Sequence, residues 1–118
     1  MFQIVTSSAN ENVQLNRPIQ GNISLSSADF HFSGASASTL AQVSIPWLDV
    51  DNVTSGPTHS IAVPIDTTAG AGWVSKRFSD VVFDDVIVPQ GFNVIVRDQA
   101  GDELPLCDKV VLTFGYTE

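Results

Sequence analysis

Val110-Val111-Leu112-Thr113-Phe114-Gly115-Tyr116-Thr117 alternates from end to end. Val110, Leu112, Phe114 and Tyr116 fall on one parity; Val111, Thr113, Gly115 and Thr117 fall on the other. Successive side chains of a β-strand point to opposite faces, so this stretch reads as a strand with one strongly apolar face turned to a core.

Moving towards the N-terminus, the same period of two recurs. Phe92, Val94 and Val96 alternate with Asn93 and Arg97, and Ile61, Val63 and Ile65 share a parity. Val43, Ile45 and Trp47 alternate with Gln42, Ser44 and Pro46; Phe30 and Phe32 flank His31; Ile23 and Leu25 sit among Asn22, Ser24 and Ser26. Turn formers separate these runs, among them Arg17-Pro18, Ser33-Gly34-Ala35-Ser36, Ser55-Gly56-Pro57, Ala69-Gly70-Ala71-Gly72 and Gln99-Ala100-Gly101-Asp102. Glycine supplies positive φ, proline withholds a ladder donor, and a spacing of about ten residues is that of sandwiches and barrels. The best helical window, 78–88, is rich in Val and Asp, which are weak helix formers. Short helical turns are expected only in loops, near 9–12 and 102–106. Pro46 and Pro64 interrupt strand-like runs and predict edges, bulges or strand ends there. The expectation is an all-β, antiparallel β-sandwich of eight to nine short strands, with a jelly-roll or related Greek-key topology. An immunoglobulin-like sandwich is the alternative, although its Cys–Trp–Cys signature needs more than one cysteine.

The 118 residues fit one domain over 1–118, in which 1–18 reads as a partly extended N-terminal arm that orders against a neighbour. Hydrophobic residues make up 43% and charged residues 15%, the reverse of a disordered chain. The net charge is −8, and only Lys76 and Arg77 are adjacent among five basic residues. Phosphate binding needs clustered cations, so neither nucleic acid nor an anionic membrane surface is an expected partner. No secretory signal or membrane-length apolar run is seen. Asn22-Ile23-Ser24 and Asn52-Val53-Thr54 match the glycosylation sequon but read as chance matches.

The candidate chemistry is sparse. The lone Cys107 reads as a small hydrophobe without a neighbouring base. His31 points away from the core that its phenylalanine neighbours enter, and His59 begins a strand. Neither has the short-range ligand spacing of a zinc site. Oxygen-rich loops make Asp49, Asp51, Asp98 and Asp102 the calcium candidates, against the simpler reading of solvated loop charge. No Gly-x-Ser-x-Gly elbow or complete phosphate loop is present. No catalytic residue, cofactor site or resident metal is expected. Trp47, Trp73 and Tyr116 are candidates for an aromatic sugar platform; the parity of Trp47 assigns it to the core, and Trp73 is the better exposed candidate. Aromatics and arginine also concentrate at protein interfaces, which makes Trp73, Lys76, Arg77 and Phe78 the expected interface residues.

Val86-Ile87-Val88-Pro89-Gln90-Gly91-Phe92-Asn93-Val94-Ile95-Val96-Arg97, followed by Lys109-Val110-Val111-Leu112-Thr113-Phe114-Gly115-Tyr116, resembles the closing strands of small jelly-roll proteins of phage and virus particles. A Pro-x-Gly turn leads into a strand, a polar loop follows, and an alternating strand comes last. The polar strands, the short chain and its acidity also resemble capsid decoration (cement) proteins and minor capsid jelly rolls. This resemblance covers the last third of the chain and transfers no functional residue by position. It implies a virion structural protein, made in the host cytoplasm and located in the particle. Its partners would be capsid or other virion subunits, with self-association into a homo-oligomer. The alternative is a carbohydrate- or cell-surface-binding module of a tail, fibre or enzyme assembly. A carboxylate-dependent enzyme is the third reading and has the least support.

Overall fold

A computed structural model of the chain describes residues 2–34, 38–45, 47–49, 59–65 and 72–117. They form strands β1 (Phe2–Thr6), β2 (Asn10–Gln14), β3 (Ile19–Phe32), β4 (Leu40–Ile45), β5 (Leu48–Asp49), β6 (His59–Pro64), β7 (Gly72–Arg77), β8 (Val82–Val88), β9 (Gly91–Arg97) and β10 (Cys107–Thr117). All pairings between them are antiparallel.

β7 and β8 lie end to end along β3. Phe78 N–H donates to Ser26 O and Leu25 N–H donates to Val81 O, both at 2.9 Å, so only Ser79 and Asp80 are looped out between the two halves. Taken as one interrupted strand, they complete a ribbon of partners: β1 with β10, β2 with β9, β3 with β7–β8, and β4 with β6. The ribbon rolls up so that β10 also pairs with β3 and β9 also pairs with β4. The sheets therefore run β1-β10-β3-β8-β5, with β7 also on β3, and β2-β9-β4-β6. This is a β-sandwich with the strand order of a jelly roll. The short β5 is an addition at the edge of the larger sheet.

Two strands are longer than the alternating runs suggested. β3 has 14 residues and β10 has 11. At about 3.3 Å per residue β3 spans about 43 Å, comparable to the 41 Å long axis of the molecule. It absorbs two apolar runs of opposite parity, Ile23 and Leu25 against Ala28, Phe30 and Phe32, all of which are buried. A bulge reconciles them: the β10 register steps from Thr113↔Ser27 to Phe114↔Leu25, skipping Ser26. One extra residue on one strand flips the parity and keeps both runs facing inwards.

The core lies between the sheets. Trp47 joins β4 of one sheet to β5 of the other and is fully buried. Its ring meets Phe114 at 5.1 Å, Phe83 at 5.7 Å and Phe92 at 6.2 Å between centroids. Aromatic contacts of this kind contribute about 0.5–1.5 kcal/mol each beyond area burial.

Residues 2–14 are not a projecting arm. β1 and β2 belong to the two sheets, and Ile4, Thr6, Ala9 and Val13 are buried. The alternation of Ile4 and Thr6 is cut short by the turn at Ser7–Ser8, and Val13 on β2 falls on the opposite parity. Nor do helical turns form at 9–12 or 102–106. Asn10 opens β2, and 102–106 is a tight connection in which Leu104 N–H donates to Val96 O at 3.0 Å and its side chain is buried. Pro64 ends β6, at the edge of its sheet, where a missing donor costs no ladder bond. Pro46 and the Asn52-Val53-Thr54 sequon lie outside the described residues.

Candidate functional site

The outer face of the larger sheet carries the chemistry. Three strands bring side chains to one level there: β7 supplies Trp73, β3 supplies His31 and β10 supplies Asp108 and Lys109. Trp73 and Lys109 are the register partners of His31 on its two sides. The Trp73 and His31 rings meet edge-on, 5.0 Å apart at an interplanar angle of 63°. His31 Nδ1 lies 2.6 Å from Asp108 Oδ1. An ionised carboxylate only accepts, so Nδ1 carries the proton and Nε2 is left as the open nitrogen.

Two departures from regular geometry deliver Asp108 to this place. Leu106 has φ 60°, the left-handed region that a leucine rarely occupies. Its carbonyl accepts from Ser33 N–H at 2.9 Å, which fixes the turn into β10. The register then slips between Cys107 and Lys109, so Asp108 sits on a bulge. Bulges re-aim side chains, and this one turns a carboxylate towards the neighbouring strand. Sequence parity reveals that His31 faces outwards; nothing in it reveals the Asp108 partner.

The expected interface residues divide between surfaces. Trp73, at 53% exposure, and Arg77 share the outer face, opposite His31 and Ser27. Lys76 is exposed but stands opposite the buried Ala28, on the inner side of the β7 edge. Phe78 is partly buried against the core. The sugar platform of three aromatics is not assembled. Trp47 is in the core, and Tyr116 pairs with Ile23 whereas Trp73 pairs with His31. Those two positions on β3 are about 25 Å apart along the strand.

The described calcium candidates fall in two places, Asp98 with Asp102 in one and Asp49 in the other. Asp98 is buried, and its Oδ1 accepts from Ala100 N–H at 2.9 Å and Asp102 N–H at 3.0 Å. Its carbonyl accepts from Gln42 Nε2 at 2.7 Å. This carboxylate is committed to shaping the β9–β10 connection, with Gly101 at φ 89° completing the turn. Asp49 lies on β5 in the other sheet, and Asp51 is outside the described residues. Among the described residues no three His, Cys, Asp or Glu side chains are grouped as a metal site would require.

A groove of about 270 Å³, lined by Phe2, Leu15, Asn16, Arg17 and Ile19, opens where β1 begins, β2 ends and β3 starts. Burial pushes the half-buried thiol of Cys107 up to about 11, the nearby Asp108 charge adding to the effect and a bond to the Lys109 carbonyl opposing it. At neutral pH the group is a protonated thiol and a poor nucleophile. Among the described residues no helix is long and apolar enough to cross a membrane.

No protein-family model matches the chain, and no curated protein matches it. Among solved structures the chain is similar to one of infectious bursal disease virus, Gx strain, at 11% identity and a TM-score of 0.19. The match covers 99% of this chain and 34% of that one, so this chain spans about a third of its length. A likeness at that TM-score carries no weight for fold or function.

Proposed function

We propose that the chain is a virion structural protein, a capsid decoration (cement) or minor capsid jelly roll that stabilises the particle through protein–protein contacts. The strand order of the two sheets is the observation that supports this reading, since jelly rolls recur in viral capsids as well as in lectins and cupins. A fold alone hosts many functions, so the surface has to be consistent with the role. The outer face of the larger sheet is broad and mixed in character: Val5 and Trp73 are about half exposed, next to Gln3, Ser27, Asp29 and Thr113. Such a face buries apolar area against a neighbour while keeping hydrogen-bonding rims, as protein interfaces do. In this reading the protein is not an enzyme. It acts in the virion, on capsid subunits and on further copies of itself, and not on nucleic acid or membrane.

The test is sedimentation of the purified chain, alone and with empty capsids of its source virus. The expected outcome is self-association together with saturable co-sedimentation at a fixed ratio to the capsid subunit. A chain that stays monomeric and is left in the supernatant at micromolar capsid would defeat the reading.

A further inference from the structure

We propose that Trp73, His31, Asp108 and Lys109 form a binding site for a pyranose ring on the outer face of the larger sheet. The inference stands apart from the virion reading and does not require it.

Trp73 leaves more than half of its surface in water. It is nonetheless held, because its edge contact with His31 fixes where the indole sits. An ordered, exposed indole with polar groups to one side suits a ligand that has an apolar C–H face and a polar rim. His31 and Asp108 supply that side: their side chains are 33% and 50% exposed and are bonded to each other at 2.6 Å. The bond leaves His31 Nε2 open as an acceptor when the ring is neutral, and the carboxylate retains accepting capacity beyond the one bond. Lys109, exposed and in register with His31, adds donors.

Charge selects among ligand classes. Asp29 and Asp108 are offset locally by Lys109 and Arg77, all four on or beside this patch. The patch thus repels neither sign strongly and attracts neither strongly, which disfavours a phosphate or a cationic peptide. A neutral polyol matches, because each hydroxyl both donates and accepts. The left-handed Leu106 and the bulge at Asp108 are departures from ideal geometry that place the carboxylate beside His31. Bulges and strained residues of this kind concentrate at binding sites.

The probe is a glycan microarray with the labelled full-length chain, followed by tryptophan fluorescence titration of the best-bound glycan. Buried Trp47 gives a constant background, so a change in emission reports Trp73. The expected result is millimolar or tighter binding, weakened about tenfold or more by Trp73→Ala and several-fold by Asp108→Asn. Trp73→Phe keeps a stacking face and retains part of the affinity, which guards against a folding defect in the alanine variant. No array glycan bound, or equal binding by the parent and Trp73→Ala, overturns the site. If Trp73→Ala loses capsid co-sedimentation while no glycan binds, Trp73 is a protein contact: the sugar site falls and the virion reading stands.

Discussion

The Cys107 thiol sits in the same turn that builds the outer-face cluster. Its pKa is raised from 9.0 to about 11, mainly by burial, so between those values the folded chain keeps a proton that the unfolded chain has lost. Proton release then favours unfolding, and stability falls as pH rises through that window. Below the window the thiol is protonated in both states and its contribution is constant. Urea melts of the parent and of Cys107→Ala are expected to keep a fixed offset at neutral pH, with the parent losing ground to the variant as pH climbs from 9.0 to about 11. An offset that stays flat across that range rejects the assignment. The residues of this turn differ in how legible they are in sequence. The outward direction of His31 follows from its place between two apolar neighbours. The partnership with Asp108 does not, because it depends on a left-handed leucine and a one-residue slip, and neither has a sequence signature.

Among the elements, β7 carries a conflict between pattern and position. Val74 and Lys76 share the inward parity, opposite the buried Phe30 and Ala28, and Lys76 is exposed all the same. The lysine keeps its side chain in water there. An ammonium on the inner side of an edge strand makes pairing with a further strand costly, since pairing would bury the charge. Lys76→Val would set a third apolar side chain between Val74 and Phe78 and complete an apolar row on an open edge. The variant is expected to associate with increasing concentration beyond the parent, by light scattering, whereas Lys76→Gln follows the parent. Identical behaviour of the valine variant and the parent would remove this role from Lys76. β3 shows the complementary lesson. Its two apolar runs read as separate strands because their parities disagree, and a bulge at Ser26 is the small adjustment that makes them one. Alternation signals a strand well, but where one strand ends and the next begins depends on pairing partners that are far away in the chain.

At the scale of the molecule, the all-β class, the sandwich and a jelly-roll or Greek-key topology follow from period and turn spacing, whereas the register of each strand pair does not. Which strands meet is decided by how the whole ribbon rolls, and β1 with β10 is its outermost pair. The apparent looseness of the first residues in sequence conceals that role. Ile4 is buried and Phe2 stacks on Phe114 at 5.1 Å between centroids. Truncating one buried isoleucine to alanine costs about 2–5 kcal/mol, against a total stability of about 5–15 kcal/mol for a domain of this kind. Deleting residues 1–6 is therefore expected to abolish cooperative unfolding and to collapse the dispersion of the amide spectrum, measured by thermal circular dichroism and two-dimensional NMR. A truncated chain that melts like the parent would show that β1 is dispensable.

Phe2 and Phe114 are partners in register, so any chain before β1 and any chain after β10 leave from the same end of the sandwich. Tension applied between such extensions pulls the strands apart sideways, and their hydrogen bonds meet the force one rung at a time instead of all together. Anchored through both ends, the molecule would peel; gripped across the long axis of β3, it would resist. Its durability under strain thus depends on the direction of attachment as much as on the depth of its core.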